Sequence, residues 1–141
     1  MAIKETRANG GVPTDPNELL PETSVLSLQD YLAMQQSIGD PTRFEIVYRL
    51  VHGGDTSPTE LDDVMDVDDS TLHYHLNKLV DVGLIEKRKR AEPTSAGLYT
   101  YYRATILAEA ILEDGVEALL RREWDFAQAY SSSAPSDHEK R

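Results

Sequence analysis

The stretch SPTELDDVMDVDDSTLHYHLNKLVDVGLIEKRKR, from Ser57 to Arg90, decides how this chain is read. It opens on Ser57, Pro58, Thr59 and Glu60, a capping box with proline at the first helical position, and so predicts a short helix ending near Met65. After a tight turn, Asp68 is placed to cap a second helix whose buried stripe is Leu72, Leu76, Leu79 and Val80 and whose stop is Gly83. That second helix presents Ser70, Thr71, His73, Tyr74 and Asn77 as short polar or amphipathic groups, with Lys78 beside them. The strand-like run Leu84 to Arg90 follows and ends in four consecutive cations, Lys87, Arg88, Lys89 and Arg90.

The flanks give the rest of the architecture. Upstream, Ser27 and Asp30 open a helix with Leu28, Tyr31, Leu32, Gln35 and Ile38 on one face, and Gly39 is the expected residue just past its end. Asp40 and Pro41 open the next helix; Phe44, Val47, Tyr48 and Val51 share its apolar face, with Ile46 and Leu50 beside them. His52, Gly53 and Gly54 close it, with His52 where the helix dipole favours a cation. Downstream, Leu98 to Ala104 reads as a second strand across a turn rich in Pro93, Thr94, Ser95 and Gly97, which makes a hairpin. A long helix is expected over about residues 105–130, with a seam at Ile111 or Leu112, Val116, Leu119, Phe126 and Tyr130, and Leu107, Leu120 and Trp124 nearby. It is apolar on more than one side, so a dimer interface shared with Leu28 and Leu32 of the first helix is preferred over packing on its own domain alone. Residues 1–22 read as a flexible arm, 23–104 as the main domain, 105–130 as the dimerisation helix and 131–141 as a polar tail. The βαβ pattern of a parallel nucleotide-binding sheet is missing.

A chain of 141 residues suffices for one core. It lacks an apolar run near the ~20 residues of a membrane span. Its first 21 residues are polar and broken by Gly10, Gly11, Pro13 and Pro16, so a cytoplasmic protein without a leader is expected. With no cysteine, disulfides, thiolate metal sites and a thiol redox switch are excluded. The 25 acidic and 14 basic residues give a net charge of -11, and lysine is scarce. An acidic surface ordinarily argues against nucleic acid. A salt-loving cell reconciles the two, because molar salt screens self-repulsion over about 3 Å. The charge is also uneven. Residues 70–104 carry Lys78, Lys87, Arg88, Lys89, Arg90 and Arg103 against only Asp81, Glu86 and Glu92, a basic island in an acidic molecule.

A helix narrow enough for the major groove, with polar side chains that reach base edges and a basic hairpin beside it, matches the task of reading DNA. Taken singly, the helix could be a core helix with a solvated polar face, and the basic run a solvated edge that blocks sheet aggregation. Their adjacency favours DNA contact. His75 precedes core Leu76 and reads as half-buried structure, and His73 and His75 cannot share a helical face, so a metal pair is not expected. Met34 and Met65 read as core residues. Nucleophile elbow, phosphate loop and metal-ligand spacing are all missing, so an enzyme is not expected.

Together, Asp40-Pro41-Thr42-Arg43, Glu60-Leu61, Ser70 to Leu79, Gly83-Leu84-Ile85 and Tyr101-Tyr102-Arg103 resemble, in this order and spacing, the ArsR-type winged-helix regulators over roughly residues 38–104. The acidic composition resembles that of haloarchaeal members. The resemblance implies a mainly α fold with a β-hairpin wing, a winged helix-turn-helix with a long C-terminal dimerisation helix. It implies base contacts from Ser70, Thr71, His73 and Tyr74, to which Asn77 is added from its place on the helix, and a two-fold dimer on double-stranded DNA. Backbone contacts are expected from Arg43, Ser57, Thr59, Lys78, Lys87, Arg88, Lys89, Arg90 and Arg103. The Cys-x-Cys of metal-sensing members is missing from residues 58–65, and residues 105–130 hold no histidine, so metal sensing is not expected. No cofactor is required on this reading, bound salt ions are expected, and the small-molecule effector is not identified. The rival expectation is a winged-helix protein-interaction module that does not bind DNA.

Overall fold

Capping residues set the helix boundaries. In the computed structural model, which describes residues 11–91 and 97–133, helix α1 (Leu28–Ile38) starts behind Ser27. The Ser27 hydroxyl accepts from the Asp30 amide at 3.1 Å and the Asp30 carboxylate accepts from the Ser27 amide at 2.8 Å. Helix α2 (Pro41–Gly53) follows Asp40, whose carboxylate takes the amides of Thr42 and Arg43 at 3.0 and 3.1 Å. Helix α3 (Pro58–Val64) carries the expected reciprocal box between Ser57 and Glu60. Helix α4 (Asp69–Asp81) begins where the Asp68 carboxylate accepts from the Thr71 amide at 2.8 Å. These caps satisfy amides that a helix start otherwise leaves without partners.

Helix α4 ends in a Schellman turn. The Leu84 amide reaches back to the Leu79 carbonyl at 3.1 Å and the Gly83 amide to that of Val80 at 3.0 Å. Gly83 sits at φ +85°, a conformation that costs an L side chain energy and glycine nothing. The turn feeds β1 (Ile85–Ala91), which pairs antiparallel with β2 (Leu98–Ala104) from Ile85 opposite Ala104 to Ala91 opposite Leu98. Thr56 exchanges backbone hydrogen bonds with Tyr102 at 3.1 and 2.8 Å, fixing the hairpin's base to the loop between α2 and α3.

The core gathers Met34 and Ile38 of α1, Ile46, Val47 and Leu50 of α2, Leu61 of α3, Leu72, Leu76 and Leu79 of α4, and Tyr102 of β2. Full burial of such side chains contributes about 1.5–3 kcal/mol each. Met34 and Met65 are core residues, as expected. Two helical faces differ from expectation. Helix α1 turns Met34, Ser37 and Ile38 inward and leaves Leu32 and Gln35 exposed, and α2 buries Ile46 and Leu50 while Tyr48 lies outside. In each case two overlapping apolar stripes compete, and the packing of α1 on α2 and α4 selects one of them. Gly39 is right-handed at φ -73°, so α1 and α2 join without a left-handed residue.

The C-terminal segment differs most from expectation. Instead of one continuous helix, α5 (Ile106–Ile111) leads into a π-type turn over Leu112–Val116, and α6 (Glu117–Ser133) resumes beyond it. Gly115, at φ -107° and ψ -112°, breaks the helical ladder there. Among the described residues no helix is long and apolar enough to cross a membrane.

Candidate nucleic-acid interface

Helix α4 packs three leucines inward, so geometry fixes what it shows to solvent. Ser70, Tyr74, Asn77 and Lys78 lie at helical spacings of three and four and share one exposed face. Thr71 and His73 flank that face and are half-buried. The ring Nδ1 of His73 lies 3.1 Å from the Asp69 carbonyl, and the Ser70 hydroxyl donates to Asp68 at 3.3 Å. Lys78 Nζ stands 5.4 Å from the centre of the Tyr74 ring, a cation–π pair that leans two candidate contact residues on each other. Hydrogen bonds from Thr71, then from Ser70, hold the Asp68 carboxyl below its ordinary range, so the cap stays ionised and keeps the N-terminus of α4 ordered.

His75, on the inner flank of α4, is half-buried, as its place beside Leu76 implied. Its Nδ1 lies 3.0 Å from Nη1 of Arg43; arginine only donates, so Nδ1 accepts. Arg43 Nε donates to the Ser37 carbonyl at 2.8 Å. Arg43, expected at a phosphate, therefore has Nε and Nη1 engaged inside the domain, where it joins the ends of α1 and α2 to α4. Ser57 needs the same correction: it is buried and its hydroxyl is occupied by the Glu60 amide, whereas Thr59 is exposed.

Strand alternation splits the wing into two faces. Glu86, Arg88 and Arg90 lie with Arg103, Tyr101 and Tyr99, while Lys87 and Lys89 lie with Tyr102 and Thr100. Arg88 pairs with Glu86 at 3.0 Å, and Arg103 makes a two-point contact with Asp55 at 3.1 and 3.3 Å. That contact, first of all its hydrogen bonds, raises the pKa of Arg103 further. The turn residues Pro93, Thr94 and Ser95 lie outside the described residues.

The candidate dimer face is mixed. Leu112 is 0% exposed and belongs to the domain interior, which corrects its assignment to an interface. The break at Gly115 turns Leu112 inward while α6 leaves Leu119, Leu120, Trp124, Phe126 and Tyr130 outside, and Val116 lies between them. Leu28, Leu107 and Ile111 are half-buried and Leu32 is exposed. Tyr31, Leu32, Met34, Leu107, Ala110 and Ile111 line an apolar groove of about 470 Å³ between α1 and α5.

Two joints tie this segment to helices α2 and α4. The Thr105 hydroxyl contacts the carbonyls of Gly83 and Leu84 at 2.8 and 3.1 Å and caps α5 through the Ala108 amide, so the end of α4 and the start of α5 are one joint. His52 contacts both carboxylate oxygens of Glu117 at 3.2 and 3.1 Å, which pins the start of α6 to the end of α2. Sequence reasoning placed His52 at a helix end but did not find Glu117, Asp55 or the Tyr99–Tyr101 pair. Only the last had a local signal, two aromatic residues two apart on one strand.

Three packed helices, a turn-linked pair among them and a two-stranded wing define a winged helix-turn-helix protein. Residues 38–88 match a family model described as a helix-turn-helix domain. Over 81 residues, 57% of this chain and 71% of the relative, the sequence is 33% identical to the arsenical resistance operon repressor of Bacillus subtilis. The chain belongs to the ArsR family of winged-helix transcriptional regulators, a family of DNA-binding proteins and not of enzymes. The fold is similar to that of a MarR-family transcriptional regulator from Enterococcus faecalis V583 (TM-score 0.59, 18% identity, 79% of this chain and 99% of that one). It is also similar to reduced HlyU from Vibrio cholerae (TM-score 0.52, 23% identity, 68% and 90%).

Proposed function

We propose that this chain is a homodimeric, sequence-specific transcriptional regulator that binds pseudo-palindromic promoter sites in a high-salt cytoplasm and responds to stress such as oxidants. The observation that carries the DNA reading is the exposed face of α4, where Ser70, Tyr74, Asn77 and Lys78 stand beside the basic wing. Ser70, Thr71, His73, Tyr74 and Asn77 meet base edges; Thr59, Lys78 and the wing meet the backbone. The apolar outer face of α6 supports the dimer. Two recognition helices must stand about 34 Å apart to read a two-fold site, and the Thr105 joint makes that spacing depend on how α5 and α6 are held. A signal that shifts α6 would spoil the spacing.

The net charge of -11 supports the high-salt setting. In molar salt, counterion release contributes little to binding. Acidic residues beside the DNA face, Asp68, Asp69 and Glu86, hold cations that bridge to phosphates on this reading. Asp69 is the most available, since Asp68 caps α4 and Glu86 pairs with Arg88. With no cysteine, an oxidant signal arrives by a route other than direct thiol chemistry, and Met34 and Met65 lie in the core. Genome-wide mapping of bound DNA with and without oxidant tests the proposal. A symmetric motif at promoters whose occupancy changes with oxidant is expected, and no enriched motif would overturn it. Affinity for that motif across a KCl series tests the cations: a steep negative slope throughout would remove them.

A further inference from the structure

The run Lys87-Arg88-Lys89-Arg90 alternates in chemistry as well as in direction. The register puts both arginines on the face of β1 that carries Tyr99 and Tyr101, and both lysines on the other. On the arginine face the cations are already engaged. The Tyr99 and Tyr101 rings stack with centres 6.1 Å apart and planes inclined at 23°. The Arg90 guanidinium carbon lies 5.0 Å from one ring centre and 4.6 Å from the other. Tyr101 is buried although it belongs to a two-stranded wing. The Tyr99 hydroxyl donates to Glu60 at 3.4 Å, and the same carboxylate oxygen accepts the Ser57 amide at the start of α3. A chain of contacts thus runs from Arg90 through two aromatic rings to the first helix of the helix-turn-helix. On the lysine face, Lys87 and Lys89 make no side-chain ion pair or hydrogen bond with any of the described residues.

We propose that Arg90 is a positioning residue that braces the wing against α3 through Tyr99 and Tyr101, and that Lys87 and Lys89 are the wing cations that meet DNA phosphates. The chemistry suits the division. A planar, weakly hydrated guanidinium stacks on rings, whereas a compact, strongly hydrated ammonium serves as a point charge for a phosphate. A two-stranded hairpin is marginal alone and needs such support to hold a fixed angle to α4. The lysine half rests on the DNA-binding reading given above; the brace does not.

The test uses the full chain as wild type, Arg90→Lys, Arg90→Gln and the double variant Lys87→Gln/Lys89→Gln. The probe is a duplex that the wild-type protein enriches from a random-sequence pool. Affinity is measured across a KCl series, and amide exchange of residues 85–91 and 98–104 is measured in the free protein. Both Arg90 variants are expected to speed wing exchange and to weaken binding several-fold with the wild-type salt slope. The lysine pair is expected to leave exchange unchanged and to flatten the slope by about 1.8, at ~0.9 for each phosphate that is no longer neutralised. Wild-type behaviour of Arg90→Lys in exchange, or a slope reduced by about one in Arg90→Gln, the mark of a phosphate deprived of its cation, overturns the brace. An unchanged slope in the double variant overturns the lysine assignment. If the wild type enriches no duplex, the DNA reading fails, while the exchange comparison still decides the brace.

Discussion

Replacing Phe126 by alanine tests whether the outer face of α6 is where two copies meet. Phe126 is 67% exposed in the single chain and its neighbour Trp124 70%. An aromatic side chain buries roughly 150–250 Å² when fully covered, so about 130 Å² of Phe126 remains available to a partner. At ~25 cal/mol per Å², covering all of it contributes about 3 kcal/mol per protomer. In a two-fold interface the substitution acts twice. If the partner covers half of the exposed area, the dimer loses about 3 kcal/mol, which weakens its dissociation constant on the order of a hundredfold. Sedimentation equilibrium of the full chain in KCl measures this directly. Val25, 95% exposed and outside the proposed face, is the control, and Val25→Ala should associate as the wild type does. A wild type that sediments as a monomer, or a folded Phe126→Ala that associates as tightly as wild type, would refute the reasoning.

Other expectations follow from the same geometry. Gly83→Ala should cost about 1 kcal/mol, because an L residue at φ +85° is strained, and an unchanged urea midpoint would argue against the left-handed turn. Asn77→Ala should relax base preference at one position by about 1–3 kcal/mol, whereas Lys78→Gln should weaken all duplexes alike and reduce the salt slope by about one; selection experiments and KCl titrations separate the two. The Asp40 carboxyl lies below its ordinary value of 3.8: burial pushes it up, but the Arg43 amide, the Arg43 charge and the Thr42 amide outweigh that. A lowered carboxylate contributes stability in full above 3.8 and loses it as pH falls through its folded value. Thermal unfolding between neutral pH and pH ~3 should therefore show a smaller acid loss in Asp40→Asn than in wild type.

The sequence made local features legible and left undecided those that depend on distant partners. Ser27, Asp40, Ser57 and Asp68 announced helix starts because a cap is satisfied within three residues of itself. The inward face of α1, the burial of Leu112 and the inward turn of Arg43 each depend on an element far along the chain, so periodicity alone could not choose among them. The break at Gly115 had a glycine as its signal, but an isolated glycine is also tolerated inside a helix, and its pattern of apolar neighbours ran straight through it.

Charge shows the same division with a functional consequence. The basic island was visible as a count, but the count treats every cation as free. Arg88 is set against Glu86, Arg103 against Asp55, Arg90 over two rings and Arg43 against His75. Within residues 70–104 that leaves Lys78, itself leaning on Tyr74, with Lys87 and Lys89 as the cations that the proposed reading assigns to phosphates. Three lysines are thin provision for backbone binding in a molecule of net charge -11. On that reading, discrimination rests on how rigidly the polar face of α4 is presented. On the proposed reading, Arg43 inside the domain and Arg90 on the wing surface serve that end, Arg43 tying α1 and α2 to α4 and Arg90 lying over the two wing rings, so that Ser70, Tyr74 and Asn77 are presented in fixed register.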